Sequence, residues 1–393
     1  MKKSMIVLFA LVLAVSLFSC KSEDGGAGAP GFPGQQGEQG EQGEQGEQGD
    51  PGETEYPRLY VAGASSDNVC IFNEAGVAAW SHGDIYPDRE IIGPDTTFAY
   101  PTGLYFVKTE NSSSLYVSDA VNHQILVFSN ADTIDGDIAP TKTIESVTVP
   151  AEGTAPACDS IYQPLGFVID NDRLYLANAS GDSISIFQNI SSWSDGVSSP
   201  IPEACIRGSN TQLNVATGIA LDEDGRLYVA NHMAGEIKIW NDWTALTDMN
   251  TASNITMSGL NMPYGLFIDK NTYEKGGDTV KGILYVNDWA ANSIYVYYIN
   301  VNGTFNLSSA SSPDLTFTSS SGLLTNPGHV WVDAESDMMY VTAFFNILIW
   351  EQASELASGD IGVPDRIIGD EGWGAPNNSQ LNSARFMYLE TEN

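Results

Sequence analysis

Along most of this chain apolar and polar positions alternate in short runs, and the runs themselves repeat. One block recurs six times: LYVAGASSDNVCIF (59–72), LYVSDAVNHQILVF (115–128), LYLANASGDSISIF (174–187), LYVANHMAGEIKIW (227–240), LYVNDWAANSIYVY (284–297) and the shorter MYVTAFFNILIW (339–350). Each reads as an apolar strand, a turn of small and polar residues, and a second strand closing on an aromatic side chain. That is a hairpin pattern. The blocks begin 53 to 59 residues apart, which leaves room for two more strands in each unit, and both are visible. Before five of the blocks stands an opening motif, Pro-x-Gly or a close variant, leading into an apolar run: YPTGLYFV (100–107), QPLGFVID (163–170), VATGIALD (215–222), MPYGLFID (262–269) and NPGHVWVD (326–333). After each block comes a branched segment: REIIG (89–93), TKTIE (141–145), ACIRG (204–208), NITMSG (254–259), LTFTS (315–319) and DRIIG (365–369). Four short strands in a repeat of this length predict an all-β propeller, one blade per repeat.

The two ends of the chain carry the closure. Tyr56 and Pro57 lead straight into the first block, so blade one lacks a first strand, while LNSARFMYLE (381–390) is a first strand with no hairpin after it. The C-terminal strand is expected to complete the N-terminal blade, which removes the exposed edges an open sheet would leave. The predicted architecture is a six-bladed β-propeller with four-stranded blades over residues 55–393. The succession P-x-G-h-x-h-D, then LYVAN or LYVSD, then an N-H or N-S step and I-x-V-F, resembles the NHL repeat in all six blades. That resemblance implies the fold and is silent on activity, because propellers host unrelated chemistries.

What precedes the propeller indicates an address. Lys2 and Lys3 are followed by the apolar run MIVLFALVLAVSLFS (5–19). At 15 residues it is short of the roughly 20 a membrane span needs, and residues 1–19 read as a signal peptide. The segment ends in LFSC (17–20), which resembles a bacterial lipobox with lipidation at Cys20, although Phe18 departs from the small residue usual there. A cleaved secretory signal with an incidental cysteine is the alternative. Lys21 resembles sorting to an outer membrane, and Ser22-Glu23-Asp24 resembles the acidic tethers of cell-surface lipoproteins. Residues 20–54 form a stalk: glycine stands at every third position from Gly25 to Gly52, with four GEQ units in the middle. That period is what a collagen triple helix requires, since only Gly fits at its axis, and it would make a homotrimer. Imino acids are few (Pro30, Pro33, Pro51), and a flexible acidic linker is the other reading. Extended, the stretch would reach roughly 80 to 90 Å.

Composition narrows the partners. With 50 acidic and 16 basic residues the net charge is −34, which excludes a nucleic-acid footprint. The expected partners are a membrane, through the lipid anchor at Cys20, and a protein or glycan ligand. Of the remaining cysteines, Cys158 and Cys205 could form a disulfide in an oxidising compartment or remain two thiols; Cys70 lies in a strand of blade one.

Candidate chemistry is sparse. In several propeller enzymes the residue between the Pro and Gly of the opening motif holds a metal: the peptidylglycine amidating lyase family has His there in alternate blades, and the gluconolactonase family has Asn and Asp nearby. Here those positions read Thr102, Leu165, Thr217, Tyr264, Gly328 and Ala384. A metal needs converging lone-pair donors, and the absence of imidazole and carboxylate speaks against both activities. His123, His232 and His329 fall in blades two, four and six and are the alternative metal set, for a propeller hydrolase or lyase. They occupy different places within their blades, and His123 matches the N-H step of the repeat. No cofactor is predicted. The run 222–225, Asp-Glu-Asp-Gly, resembles part of a calcium loop but lacks its distal Glu and reads as a hairpin turn, which leaves a structural calcium open. Asp119, Asn178, Asn231 and Asp288 recur at one place in four blades, as residues that cap a local turn do. Tyr264, His232, Met233, Trp289, Phe344 and Phe345 gather on blades four to six as a candidate ligand surface; burial between blades is the competing account. There is no Gly-x-Ser-x-Gly elbow, phosphate loop or HExxH. The expected function is a binding module, with an enzyme and a trimeric surface spike as the two alternatives.

Overall fold

The structure, a computed structural model, describes residues 58–73, 86–146, 161–243, 250–369, 381 and 383–390. The signal segment, Cys20, the glycine-repeat stretch and Cys158 lie outside the described residues. From Arg58 onward the chain is a closed ring of six antiparallel sheets. The innermost strands, in blade order, are Ala384–Glu390, Pro101–Thr109, Pro164–Asp170, Ala216–Leu221, Pro263–Lys275 and Pro327–Asp333, and each touches the next around the full circle. The repeated block supplies the second and third strands of every blade, and the branched segment supplies the outermost one.

Closure occurs in blade one, where Ala384–Glu390 pairs antiparallel with Arg58–Gly63, matching Leu59 to Leu389 and Val61 to Met387. Ion pairs from Arg58 (3.4 Å) and Lys108 (3.0 Å) to Glu390 pin the end of that strand. Three blades also reach back to cover a neighbour's outer edge. Gly196–Ser198 of blade three pairs in parallel with Lys142–Glu145 of blade two, and Gly359–Asp360 of blade six pairs with Leu315–Thr318 of blade five. A single bridge from Gly136 to Ile91 does the same between blades two and one. The repeat pattern does not announce these additions. They come from the loop before each outermost strand, and they blunt edges that would otherwise template aggregation.

The core lies between the blades. The aromatic residue ending each block (Phe72, Phe128, Phe187, Trp240, Tyr297, Trp350) is buried, and the six apolar clusters each join the facing sheets of two neighbouring blades. At about 1.5–3 kcal/mol for each large apolar side chain fully buried, these interfaces carry most of the stabilisation.

The four recurrent Asp and Asn residues fix how the chain approaches the centre. Asp119 accepts hydrogen bonds from the amides of Ala99 (2.7 Å), Asn122 (3.0 Å) and Val121 (3.2 Å). Asn178 Oδ1 accepts from Tyr162, Asn231 Oδ1 from Asn214, and Asp288 from Asn261, Met262 and Ala291. Each therefore satisfies the backbone of the loop that delivers the inner strand of its own blade. The 222–225 run is a turn, with the Gly225 amide donating to the Asp222 carbonyl at 3.1 Å.

Every inner strand carries a register slip at its opening motif, between Pro101 and Leu104 in blade two and at the matching places elsewhere. The x and Gly residues sit inside this bulge. The glycine is required by proximity: a Cβ on Gly103 would stand 2.3 Å from the Leu165 carbonyl oxygen, and one on Gly265 would stand 2.2 Å from that of Gly328.

If the seam in blade one holds the ring, a chain ending at residue 383 loses its cooperative thermal transition and elutes as oligomers on size-exclusion chromatography. An unchanged melting temperature with a monomeric profile would refute that role.

Candidate functional site

The register corrects one expectation. Ala384 pairs with Gly63 as Pro101 pairs with Asp119 and Pro263 with Asp288, so it holds the Pro place of the motif. The hydroxyl contacts agree: Ser118 donates to the Leu165 carbonyl at 2.6 Å, and Thr342 donates to the Arg385 carbonyl at 2.9 Å. The six x positions are therefore Thr102, Leu165, Thr217, Tyr264, Gly328 and Arg385. The Gly place is held by His329 in blade six and by Phe386 in blade one.

Those exceptions divide the channel. The Phe386 ring reaches from blade one across to blade three, where its Cε1 and Cζ lie 3.0 Å from the point a Cβ on Gly166 would take. It also lies 5.2 Å from the His329 ring and 5.5 Å from Tyr264 between centroids. Beyond it, toward the ends of the inner strands, opens a cavity of about 660 Å³. Its wall comes from the residue two past the Gly place in each blade: Tyr105, Val168, Ala220, Phe267, Trp331 and Tyr388. Four of these form a continuous belt, with centroid separations of 5.0 Å for Tyr105–Tyr388, 5.0 Å for Tyr388–Trp331 and 4.8 Å for Trp331–Phe267. Directly opposite each wall residue, on the second strand, stands the tyrosine of the repeated block: Tyr116, Tyr175, Tyr228, Tyr285, Tyr340 and Tyr60. Asp269, Asn271, Asp333 and Glu335 border the open end. Burial, and then nearby carboxylates, push the Tyr105 and Tyr175 hydroxyls up to about 12, so they stay protonated donors.

None of the six residues expected to form a ligand surface lines this cavity. They sit at the other end, where the inner strands begin. Tyr264, His232 and Trp289 come together there, with ring centroids 5.6 Å apart for His232–Tyr264, 6.5 Å for His232–Trp289 and 5.2 Å for Tyr264–Trp289. Tyr264 and His232 are buried, whereas Trp289 and Met233 are half-buried. Phe344 and Phe345 are half-buried and pack on each other at 4.5 Å. The sequence reading missed Arg385. Its guanidinium lies 4.3 Å from the Trp289 ring, 5.7 Å from Tyr264 and 6.0 Å from Tyr100, and Nη2 donates to the Tyr100 hydroxyl at 2.9 Å.

The three histidines are engaged separately. His123 Nδ1 accepts from the Gln163 amide, His232 Nδ1 donates to the Pro263 carbonyl, and His329 Nε2 donates to the Leu266 carbonyl. No three His, Cys, Asp or Glu side chains converge as a metal set among the described residues. Cys205 is buried in the outermost strand of blade three.

The site and ring together define a closed six-bladed β-propeller with an aromatic-lined channel. No family model matches the chain, and no curated protein shows significant sequence similarity to it. Among solved structures it is similar to a candidate 6-phosphogluconolactonase from Bacteroides uniformis, with 13% identity, a TM-score of 0.49, and coverage of 83% of this chain and 88% of that one. A functionally unknown protein from Desulfotomaculum acetoxidans gives 12% identity and a TM-score of 0.44, with 84% of each chain covered. A chain of the nidogen/laminin complex gives 12% identity and a TM-score of 0.48, covering 85% and 98%. These are likenesses of fold, and no activity is taken from them.

Burial lowers the His329 pKa to about 4, with the Leu266 carbonyl opposing the shift. The folded state thus holds a neutral imidazole at pH values where the unfolded chain, with a pKa near 6.5, is protonated. Its contribution is complete above pH 6.5 and is lost as pH falls toward 4, by about 3 kcal/mol. Thermal unfolding across that range should show wild type losing stability faster than His329→Gln; parallel curves would contradict the assignment.

Proposed function

We propose that this chain is a lipid-anchored cell-envelope protein of the NHL-repeat type whose propeller binds a glycan in its channel cavity. The observation that carries the reading is the belt of Tyr105, Tyr388, Trp331 and Phe267 around a space of about 660 Å³, bordered by carboxylates and an amide. Such a volume falls within the ~300–1,000 Å³ of small-molecule sites. A sugar ring offers an apolar C–H face and a circumference of hydroxyls. Flat aromatic walls suit the first, and Asp269, Asn271 and Asp333 suit the second.

The address rests on the N-terminal sequence: a basic start, a short apolar run, and LFSC ending at Cys20. A lipid on Cys20 would hold the protein at the outer membrane or the cell surface, and the glycine-repeat stretch (25–52) would carry the propeller away from it. The unbroken triplet period supports assembly of three such stretches into a collagen-like stalk.

Affinity electrophoresis of the full-length chain in detergent, through gels holding a panel of bacterial and host polysaccharides, tests the ligand class. At least one polysaccharide should retard wild type, and Trp331→Ala should weaken that retardation roughly tenfold, for a stacking loss of about 1.4 kcal/mol, with an unchanged circular dichroism spectrum. No retardation, or equal retardation of the variant, sinks the reading. For the stalk, light scattering on a chain deleted of residues 25–52 should report a monomer where the intact chain reports a trimer. The same mass per particle in both would return the stretch to a linker.

A further inference from the structure

Three lysine or arginine side chains are buried among the described residues, and only one of them lacks a carboxylate there. Lys238 pairs with Glu236 at 3.0 Å and is also bonded by Gln212 and Thr256. Arg366 pairs with Glu351. Arg385, 5% exposed, meets the hydroxyls of Tyr100 and Tyr264 and three aromatic rings but no carboxylate among the described residues, and its Nε has no partner. A buried guanidinium without a counter-charge is costly. Aromatic rings compensate part of that cost through the face of the cation, but they leave the Nε–H donor unused.

We propose that Arg385 is an anion-binding residue, and that the pocket it forms with Trp289, Tyr264 and Tyr100 takes an organic carboxylate carried on a planar or apolar group. The fork of the guanidinium matches a carboxylate in two parallel hydrogen bonds. Trp289 and Tyr100, both half-buried, are the faces that the apolar part of such a ligand would meet. The charge balance favours a monoanion. Burial lowers the pKa of both His232 and His329, so neither adds a cation at neutral pH. Asp288 accepts from three backbone amides and acts on His232. Two residues before Trp289, fully buried Asn287 has neither amide atom partnered. By register it stands where Ser118 and Thr342 bond the neighbouring blade, an unpartnered amide on the side of the blade that carries Gly328. Gly328, the x residue between Tyr264 and Arg385 in blade order, brings no side chain between them.

Calorimetry on the full-length chain in detergent, with benzoate as probe, benzamide as its neutral analogue and inorganic phosphate as a bare anion, tests the proposal. Benzoate should bind in the millimolar range or tighter, and benzamide and phosphate at least tenfold more weakly. Arg385→Met should lose at least tenfold in benzoate affinity, and Arg385→Lys should retain part of it. Trp331→Ala, in the separate cavity, should leave benzoate binding unchanged. Thermal unfolding separates a ligand-directed charge from a structural one: without ligand, Arg385→Met should melt at or above the wild-type temperature. No benzoate binding, equal binding of benzamide or phosphate, binding unaffected in Arg385→Met, or a lower melting temperature for that variant would each overturn the proposal.

Discussion

Six inner strands approach each other so closely at the centre of this ring that a single methyl group would collide with a neighbour's carbonyl. At Gly103, Gly218 and Gly265 the clash would be at 2.2 to 2.4 Å with backbone that cannot yield. Glycine at these points is therefore a condition of closing the circle, and the interblade layers of apolar side chains pack only once it is met. Blades six and one break the rule with His329 and Phe386, and the ring answers by leaving Gly265 and Gly166 without side chains where room is needed. The bare backbone of one blade receives the bulk of another, which is how a channel common to six near-equivalent strands comes to be asymmetric.

Much of the architecture could be read before any coordinates, for a physical reason: hairpins, turn-capping acids and aromatic strand ends recur with each blade, so each reading is checked five times over. The recurrent Asp119, Asn178, Asn231 and Asp288 were legible in this way. The terminal strand was legible as the closing element but its register was not, because Ser383-Ala384-Arg385-Phe386 carries neither the Pro nor the Gly that marks the bulge, and a slip of one residue concealed Arg385. The aromatic belt escaped for a different reason. Its members come one per blade, far apart in sequence, and only ring geometry makes Tyr105, Phe267, Trp331 and Tyr388 neighbours. Trp289 and Tyr264 were easier to find, since one lies in a hairpin turn and the other at a repeated motif position, where a large aromatic side chain is anomalous on its own.

The two ends of the channel differ in kind. One is open, walled by flat rings and bordered by acids; the other is aromatic and holds the one buried Lys or Arg that has no ion pair among the described residues. In a chain of net charge −34, retaining an unpaired buried arginine runs against the general electrostatic drift of the molecule. Phe386 stands between these environments and touches residues of both, so each can vary its chemistry without disturbing the other.

The seam in blade one has a mechanical side. Arg58–Gly63, where the described chain begins, is flanked by hydrogen-bonded strands on both sides, Ala384–Glu390 and Asn68–Phe72. Tension applied from the N-terminal side therefore enters through an interior strand that two ladders share. An edge strand under the same tension could peel away one rung at a time. Ala384–Glu390 is thereby the clasp through which the propeller would bear a load.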